Sequence, residues 1–156
     1  MAAADKFDIT VKVKGAHGAM PQNGVDPIVI GSQIVTALQS LVSRSKDPIE
    51  TAVISITMCH AGAAFNVIPE EAVLAVTVRT FNPDVQDRVE AGMKRMAEGI
   101  ASGMGGSADV DFRRGYPATV NHEAQTQLAA DVAGGIVGPE NVRAEVDPTM
   151  GGEDFA

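Results

Sequence analysis

Two Asx-Pro pairs, each followed by a long apolar stripe at helical spacing, constrain the fold of this chain more than any other feature. Asp26-Pro27 and Asn82-Pro83 each place a capping side chain directly before a proline, the arrangement that begins a helix. The apolar residues that follow recur every three or four positions, which predicts helices over about 27–44 and 83–102. The two stripes are Ile30, Ile34, Leu38, Leu41 and Val42, and then Val85, Val89, Met93, Met96 and Ile100.

Four segments with apolar residues at every second position flank these helices and predict half-buried strands. They lie at 7–13, 51–58, 72–80 and 107–113, so the order of elements is β-α-β-β-α-β. Right-handed crossovers fold this order into one four-stranded antiparallel sheet with both helices on one face, the ferredoxin-like arrangement. The sequence therefore predicts an α+β domain over about residues 5–115.

The remaining residues, 116–156, have a different character. Asn121 is predicted to cap a third helix, which carries an apolar stripe. That stripe consists of Leu128, Val132 and Ile136. The apolar positions after it are too few for a second core, and the tail ends without a helix cap or a polar terminus. We therefore expect this segment to be part of a larger protein.

Charge and composition exclude several classes of partner. The chain has 156 residues, with 12 basic and 20 acidic side chains, and its net charge is −8. Nucleic acids and anionic membrane surfaces both require clustered lysine or arginine, so neither is expected to bind. No apolar run approaches the ~20 residues of a membrane span. With a single cysteine and no signal-peptide pattern, the expected location is the cytoplasm.

The histidines and the cysteine give only weak functional signals. His17, His60 and His122 lack the mutual spacing of a metal site. Cys59, at the end of an apolar strand, is predicted to be a small packed core residue. His17 lies in a loop rich in glycine and proline, 15–21, that can hold an imidazole outward. Even so, on these residues alone an ordinary polar loop residue is the better interpretation.

Two further polar residues have the chemistry to hold a carboxylate. Asn66 offers an amide, and Arg79, on the polar face of a predicted strand, offers a guanidinium. A turn-forming asparagine and a solvated arginine are equally ordinary interpretations. The adjacent acids Glu70-Glu71 follow a proline in a short turn and need no functional explanation.

Five motifs in order resemble those of the two-metal amidohydrolase and peptidase family, which includes hippurate hydrolase, aminoacylases, other N-acyl-amino-acid hydrolases and hydrolases of auxin conjugates. The motifs are Gly15-Ala-His-Gly-Ala-Met-Pro21 with Asp26-Pro27, Leu38-Gln-Ser-Leu-Val-Ser-Arg44, Phe65-Asn-Val-Ile-Pro69, Val78-Arg-Thr-Phe81 and Met150-Gly-Gly-Glu-Asp-Phe155. The resemblance spans essentially the whole chain. It implies that residues 5–115 are the family's dimerisation (lid) domain and that 116–156 are a partial return into the catalytic domain.

The resemblance also implies roles for particular residues. The family's lid histidine falls on His17, which reaches into the active site of the other subunit and donates to the oxyanion of the tetrahedral intermediate. The family's asparagine and arginine fall on Asn66 and Arg79, which bind the substrate's carboxylate or scissile carbonyl. A substrate-binding loop beside the catalytic cleft corresponds to Gly151, Gly152 and Glu153.

The implied activity belongs to a larger parent. The family's metal ligands and catalytic carboxylates lie outside the matching segments, so we expect a divalent metal, Zn or Mn, in the full-length protein. None is expected bound to this chain, which is predicted to be inactive alone. The implied parent is a homodimer, joined through the lid with strand 51–58 pairing across the dimer, that hydrolyses N-acyl amino acids or small peptides. The alternative is an autonomous ferredoxin-like binding or dimerisation module without catalysis.

Overall fold

The computed structural model describes all 156 residues and has the β-α-β-β-α-β order, with a short two-stranded ribbon added and a third helix at the end. The elements are β1 Ala3–Lys12, β2 Ala16–His17, α1 Pro27–Ser43, β3 Ala52–Ala61, β4 Val67–Ile68, β5 Glu71–Thr80, α2 Pro83–Gly103, β6 Ser107–Tyr116 and α3 Glu123–Val137. None of the helices combines the length and the apolar composition needed to cross a lipid bilayer.

The four long strands form one antiparallel sheet in the order β3-β5-β1-β6. Helices α1 and α2 pack against each other and against this sheet, and a cluster of 19 buried apolar residues fills the space between the layers. The largest side chains of that core include Phe7, Ile9, Ile30, Ile34, Leu38, Leu74 and Met93. This is the ferredoxin-like α+β fold that the sequence predicts.

Both predicted Asx-Pro starts of helices are confirmed. The Asp26 carboxylate accepts hydrogen bonds from the backbone N–H groups of Ile28 at 2.8 Å and Val29 at 3.4 Å. The Asn82 side chain accepts one from the N–H of Asp84 at 2.9 Å. These bonds satisfy donors that the first turn of a helix otherwise leaves unpaired.

The second half of β3 departs from the predicted pattern. Its pairing with β5 shifts register between Ile56 and Met58, and the rest of the strand is exposed. Met58 is 52% exposed, and Cys59 is an exposed free thiol. The prediction that Cys59 is a core residue is therefore wrong: the register shift interrupts the alternation of buried and exposed residues before Cys59, and every residue of β3 after Ile56 is exposed.

The segment after β6 has a helix where the sequence predicts one, but it lacks a core. The N-cap of α3 is His122 rather than Asn121, and no side chain caps the helix. Leu128, Val132 and Ile136 are 64%, 56% and 78% exposed, and no residue of 117–156 is buried. Main-chain bonds attach the segment to the start of β1, where the N–H of Ala2 donates to the carbonyls of residues 149 and 151 at 3.1 and 2.9 Å.

Candidate functional site

The short ribbon of β2 and β4 extends the two central strands beyond the end of the sheet. Lys12 pairs with Glu71 at the end of the β1–β5 ladder, and His17 pairs with Val67 in the ribbon. Between them the strands approach so closely that a Cβ on Gly15 would lie 2.8 Å from the carbonyl oxygen of Ile68. A glycine is required at this position because its backbone packs directly against the facing strand.

The ribbon brings two of the predicted site residues together. His17 lies opposite Val67, and the next N–H along, that of Gly18, donates to the carbonyl of Asn66 at 2.7 Å. The side chains of His17 and Asn66 are both exposed. We call this pair the ribbon site.

A backbone contact sets the hydrogen-bonding direction of the imidazole. The N–H of Ala19 donates to Nδ1 of His17 at 3.1 Å. A nitrogen that accepts such a bond carries no proton, so the neutral ring holds its proton on Nε2. His17 therefore presents an N–H donor to solvent, the type of group that stabilises a developing oxyanion.

Arg79 lies at the opposite end of the sheet, on the face away from the helices. It pairs with Ala4 of β1 and Val53 of β3. It lines an open cleft of about 760 Å³ together with Gly152 and Glu153. We call this the Arg79 cleft.

The C-terminal loop packs directly against the arginine of this cleft. A Cβ on Gly152 would lie 2.9 Å from Nη1 of Arg79, so a glycine allows the guanidinium to lie against the loop backbone. Gly151 is held beside it by the hydrogen bond from Ala2 at 2.9 Å. The structure thus brings Arg79 together with the predicted loop residues, although they are far apart in the sequence.

A long distance separates the ribbon site from the Arg79 cleft. Arg79 follows Val67 by twelve residue steps of nearly continuous extended chain, and at about 3.3 Å per step they span roughly 30 to 40 Å. The two groups of residues therefore cannot contact one small substrate within a single copy of the chain.

The other arginines near the cleft are occupied by acids. Arg114 donates to Asp87 at 2.6 Å and to Glu90 at 2.8 Å, and Lys94 binds the same glutamate at 2.8 Å. These hydrogen bonds, from Lys94 first and then Arg114, hold the pKa of Glu90 below its ordinary value. Arg113 pairs with Asp8 and Asp111.

Sequence reasoning missed two residues at these sites. Lys6 lines the Arg79 cleft, and Phe65, beside Asn66, is fully exposed at 104%. The alternation of β1 places Lys6 on its polar face, but the strand register is needed to put it beside Arg79. The signal for Phe65 is its place within the motif that contains Asn66.

The side chains of this chain do not form a metal centre of their own. No group of three or more histidine, cysteine, aspartate or glutamate side chains is arranged to hold an ion. Because a catalytic metal needs about three protein ligands, the residues present do not fit that role. They offer hydrogen-bond donors and cations instead.

The family pattern of the peptidase dimerisation domain matches residues 3–103, which contain most of the α+β fold. The chain belongs to the M20 peptidase dimerisation-domain family, and the predicted resemblance to the amidohydrolase and peptidase family is confirmed.

Named relatives share the whole length of this chain. The putative amidohydrolase YhaA of Bacillus subtilis is 46% identical over 156 residues, which are 100% of this chain and 39% of that protein. The N-acetylcysteine deacetylase of the same organism is 42% identical over 100% of this chain and 40% of its own length. This chain therefore spans about two fifths of the length of these relatives.

A solved structure supports the same assignment. The YXEP protein of Bacillus subtilis, described as a dinuclear metal binding peptidase of the M20 family, superposes with a TM-score of 0.72 and 37% identity. The match covers 100% of this chain and 37% of that one.

Proposed function

We propose that this chain is the dimerisation portion of an amidohydrolase that cleaves N-acyl amino acids or small peptides, and that each active site takes residues from two copies of the chain. Similarity to an N-acetylcysteine deacetylase and to an M20 peptidase supports the type of bond cleaved. The observation that carries the proposal is the separation of the ribbon site from the Arg79 cleft.

The ribbon site and the Arg79 cleft have the functional groups to bind two different parts of one substrate. The Nε2–H of His17 donates to the oxygen of the scissile carbonyl as negative charge develops there, and the Asn66 amide holds the same region of the substrate. Arg79 binds the free carboxylate through two parallel N–H donors. Since one copy cannot place these groups together, the histidine comes from the partner and the arginine from the copy that holds the substrate.

The exposed edge of β3 provides a contact that brings the two groups together. β3 is an edge strand of ten residues, and its outer side has no paired neighbour. Antiparallel pairing of β3 with its two-fold copy covers that edge and reverses the direction of the second sheet. The ribbon end of one copy then lies toward the Arg79 end of the other, as a shared site requires.

Other segments of the parent protein, outside residues 1–156, supply the remaining functions. The divalent metal, Zn or Mn, is held by those segments, and this chain alone does not hydrolyse amides. Residues 5–115 act as the lid, and the exposed stripe of α3 within 116–156 packs on the catalytic domain. The supporting observation is that α3 has an apolar stripe but no buried residue.

Substitution of His17 in the full-length protein tests the assignment. We expect His17→Ala to lower kcat about 100-fold, as for other oxyanion donors, while His122→Ala, at an exposed N-cap on α3, leaves kcat unchanged. A change confined to KM would contradict the oxyanion role.

Two further results bear on the same proposal. Arg79→Ala should lower kcat/KM for substrates with a free carboxylate and leave kcat/KM for their amidated counterparts unchanged. Equal losses of kcat/KM on both classes of substrate would contradict carboxylate binding. Failure of the full-length protein to hydrolyse any N-acyl amino acid would favour the autonomous binding module instead.

A further inference from the structure

Two cations without partners lie side by side on the outer face of the sheet. Lys6 lies opposite Thr77 in the β1–β5 ladder, and Arg79 is two residues further along β5. Diagonal neighbours of this kind have side chains within about 7 to 8 Å of each other. Both Lys6 and Arg79 line the Arg79 cleft.

The salt bridges of the molecule leave both of these cations free. They involve a different set of basic residues, namely Lys12, Arg88, Lys94, Arg113 and Arg114. Lys6 and Arg79 are therefore two positive charges of the cleft without an ion-pair partner, on a chain whose net charge is −8.

Two acids of the C-terminal loop, Glu153 and Asp154, also line the cleft, but neither forms an ion pair with Lys6 or Arg79. Asp8 and Asp111, on the same face as Lys6, pair with Arg113. In the loop, Oε1 of Glu153 accepts hydrogen bonds from the N–H groups of Asp154 at 2.9 Å and Phe155 at 3.3 Å. No neighbouring carboxylate lies within ion-pair distance of Lys6, so an incoming anion can occupy that position.

The proposed function uses only one of the two cations. The fork of a guanidinium satisfies one carboxylate in a bidentate pair, so Arg79 alone suffices for the α-carboxylate of an N-acyl amino acid. The ammonium of Lys6 is a separate point charge on a flexible stem, and it can reach a second anionic group of the same ligand.

We propose that Lys6 binds a second carboxylate, so that the preferred substrates are N-acyl derivatives of acidic amino acids. This inference rests on the proposed function, in which Arg79 holds the α-carboxylate. Lys6 is then a specificity-determining residue, and the Arg79 cleft is a site for dicarboxylates.

A matched pair of substrates tests the proposal in the full-length protein. N-acetyl-L-glutamate and N-acetyl-L-glutamine have nearly the same shape and differ by one negative charge. We expect Lys6→Met to lower kcat/KM about 10-fold for the glutamate and less than about 2-fold for the glutamine, and Lys6→Arg to retain most of the preference. Equal losses on both substrates would overturn the proposal.

The control variant is Lys12→Met. Lys12 lies on the same strand and the same face as Lys6 but already pairs with Asp109 at 2.6 Å, far from the cleft. Its loss should leave the ratio of the two kcat/KM values unchanged. A matching change in the control would show a general effect of surface charge and would also overturn the proposal.

A binding measurement separates this inference from the proposed function. Hydrolysis of other N-acyl amino acids but of neither of these two would overturn the inference and leave the proposed function standing. If the full-length protein hydrolyses no N-acyl amino acid at all, the proposed function fails, and the dicarboxylate site is tested by NMR titration of the 156-residue chain. N-acetyl-L-glutamate should then shift the backbone amides of Lys6 and Arg79 more than N-acetyl-L-glutamine does, and Lys6→Met should remove the difference. Equal shifts in the unsubstituted chain would overturn the inference.

Discussion

Helices α2 and α3 both carry apolar residues at helical spacing, yet they differ completely in burial. In α2, Val85, Val89 and Met93 are 1%, 4% and 0% exposed. In α3, the stripe at Leu128, Val132 and Ile136 is more than half exposed. Periodicity in the sequence thus predicts a helix and its apolar face, whereas burial of that face depends on a second surface to pack against.

The two regions that contain these helices differ in the same way. Residues 3–116 have a sheet, two packed helices and a closed core, whereas the segment 117–156 is attached by main-chain hydrogen bonds and contributes no buried residue. On this account the first region folds as a unit. The second is completed by the catalytic domain in the proposed parent.

The largest expected effect comes from a pair of leucine substitutions, one in each region. Leu74 is 0% exposed and Leu128 is 64% exposed. We expect Leu74→Ala to lower the free energy of unfolding of the chain by about 3 kcal/mol, since it leaves a cavity, and Leu128→Ala by less than about 0.5 kcal/mol. Urea denaturation measures both, and similar losses would contradict the difference between the regions.

A glycine in the first region should tolerate substitution poorly. Gly115 lies at a bulge in β6, where its N–H donates to buried Asp5 at 3.1 Å, and an added Cβ would overlap the carbonyl oxygen of Ala4. We expect Gly115→Ala to destabilise the chain by about 1 to 3 kcal/mol because backbone must move. Thermal unfolding checks this, and an unchanged midpoint would show that the bulge adapts freely.

Two helical glycines, one in each region, have open space around them. Gly99 in α2 and Gly135 in α3 have nothing within 4 Å of an added Cβ. Gly99→Ala should raise the free energy of unfolding by about 0.5 to 1 kcal/mol. Gly135→Ala should slow amide exchange within α3 alone, without changing global unfolding. A global gain from Gly135→Ala would mean that α3 unfolds together with the core.

The smallest effect concerns acid stability within the first region. The pKa of Glu90 is lowered in the folded chain. The ionised carboxylate therefore stabilises the fold above the ordinary glutamate pKa, and this stabilisation is lost as the pH falls through the pKa of Glu90 in the folded chain. We expect Glu90→Gln to cost about 0.5 kcal/mol at pH 7 and progressively less below about pH 4. Exposed Glu98→Gln is the control, and a loss that persists in acid would show a role other than charge.

Local signals made most of the fold predictable. The Asx-Pro caps and the period of apolar residues set α1, α2 and the four long strands within a few residues, because caps and amphipathic faces depend on neighbours in the sequence. Cys59 was misplaced because a bulge is set by pairing with β5. Asn121 was one residue from the N-cap because no side-chain bond fixes that end of α3.

The candidate site was predictable residue by residue but not in its arrangement. Motif resemblance singled out His17, Asn66 and Arg79, and those roles stay predictions. The pairing of His17 beside Asn66, and the position of Lys6 beside Arg79, depend on the exact strand register, which the apolar alternation of a single sequence leaves open.

Mixing two inactive variants tests most directly whether one site uses both copies. In a heterodimer of His17→Ala and Arg79→Ala full-length proteins, one site has both wild-type groups if the histidine acts across the dimer. In an equal mixture, half of the dimers are mixed, and each mixed dimer has one intact site out of two. The mixture should therefore recover about one quarter of wild-type activity. Activity no higher than that of the separate variants would contradict the account.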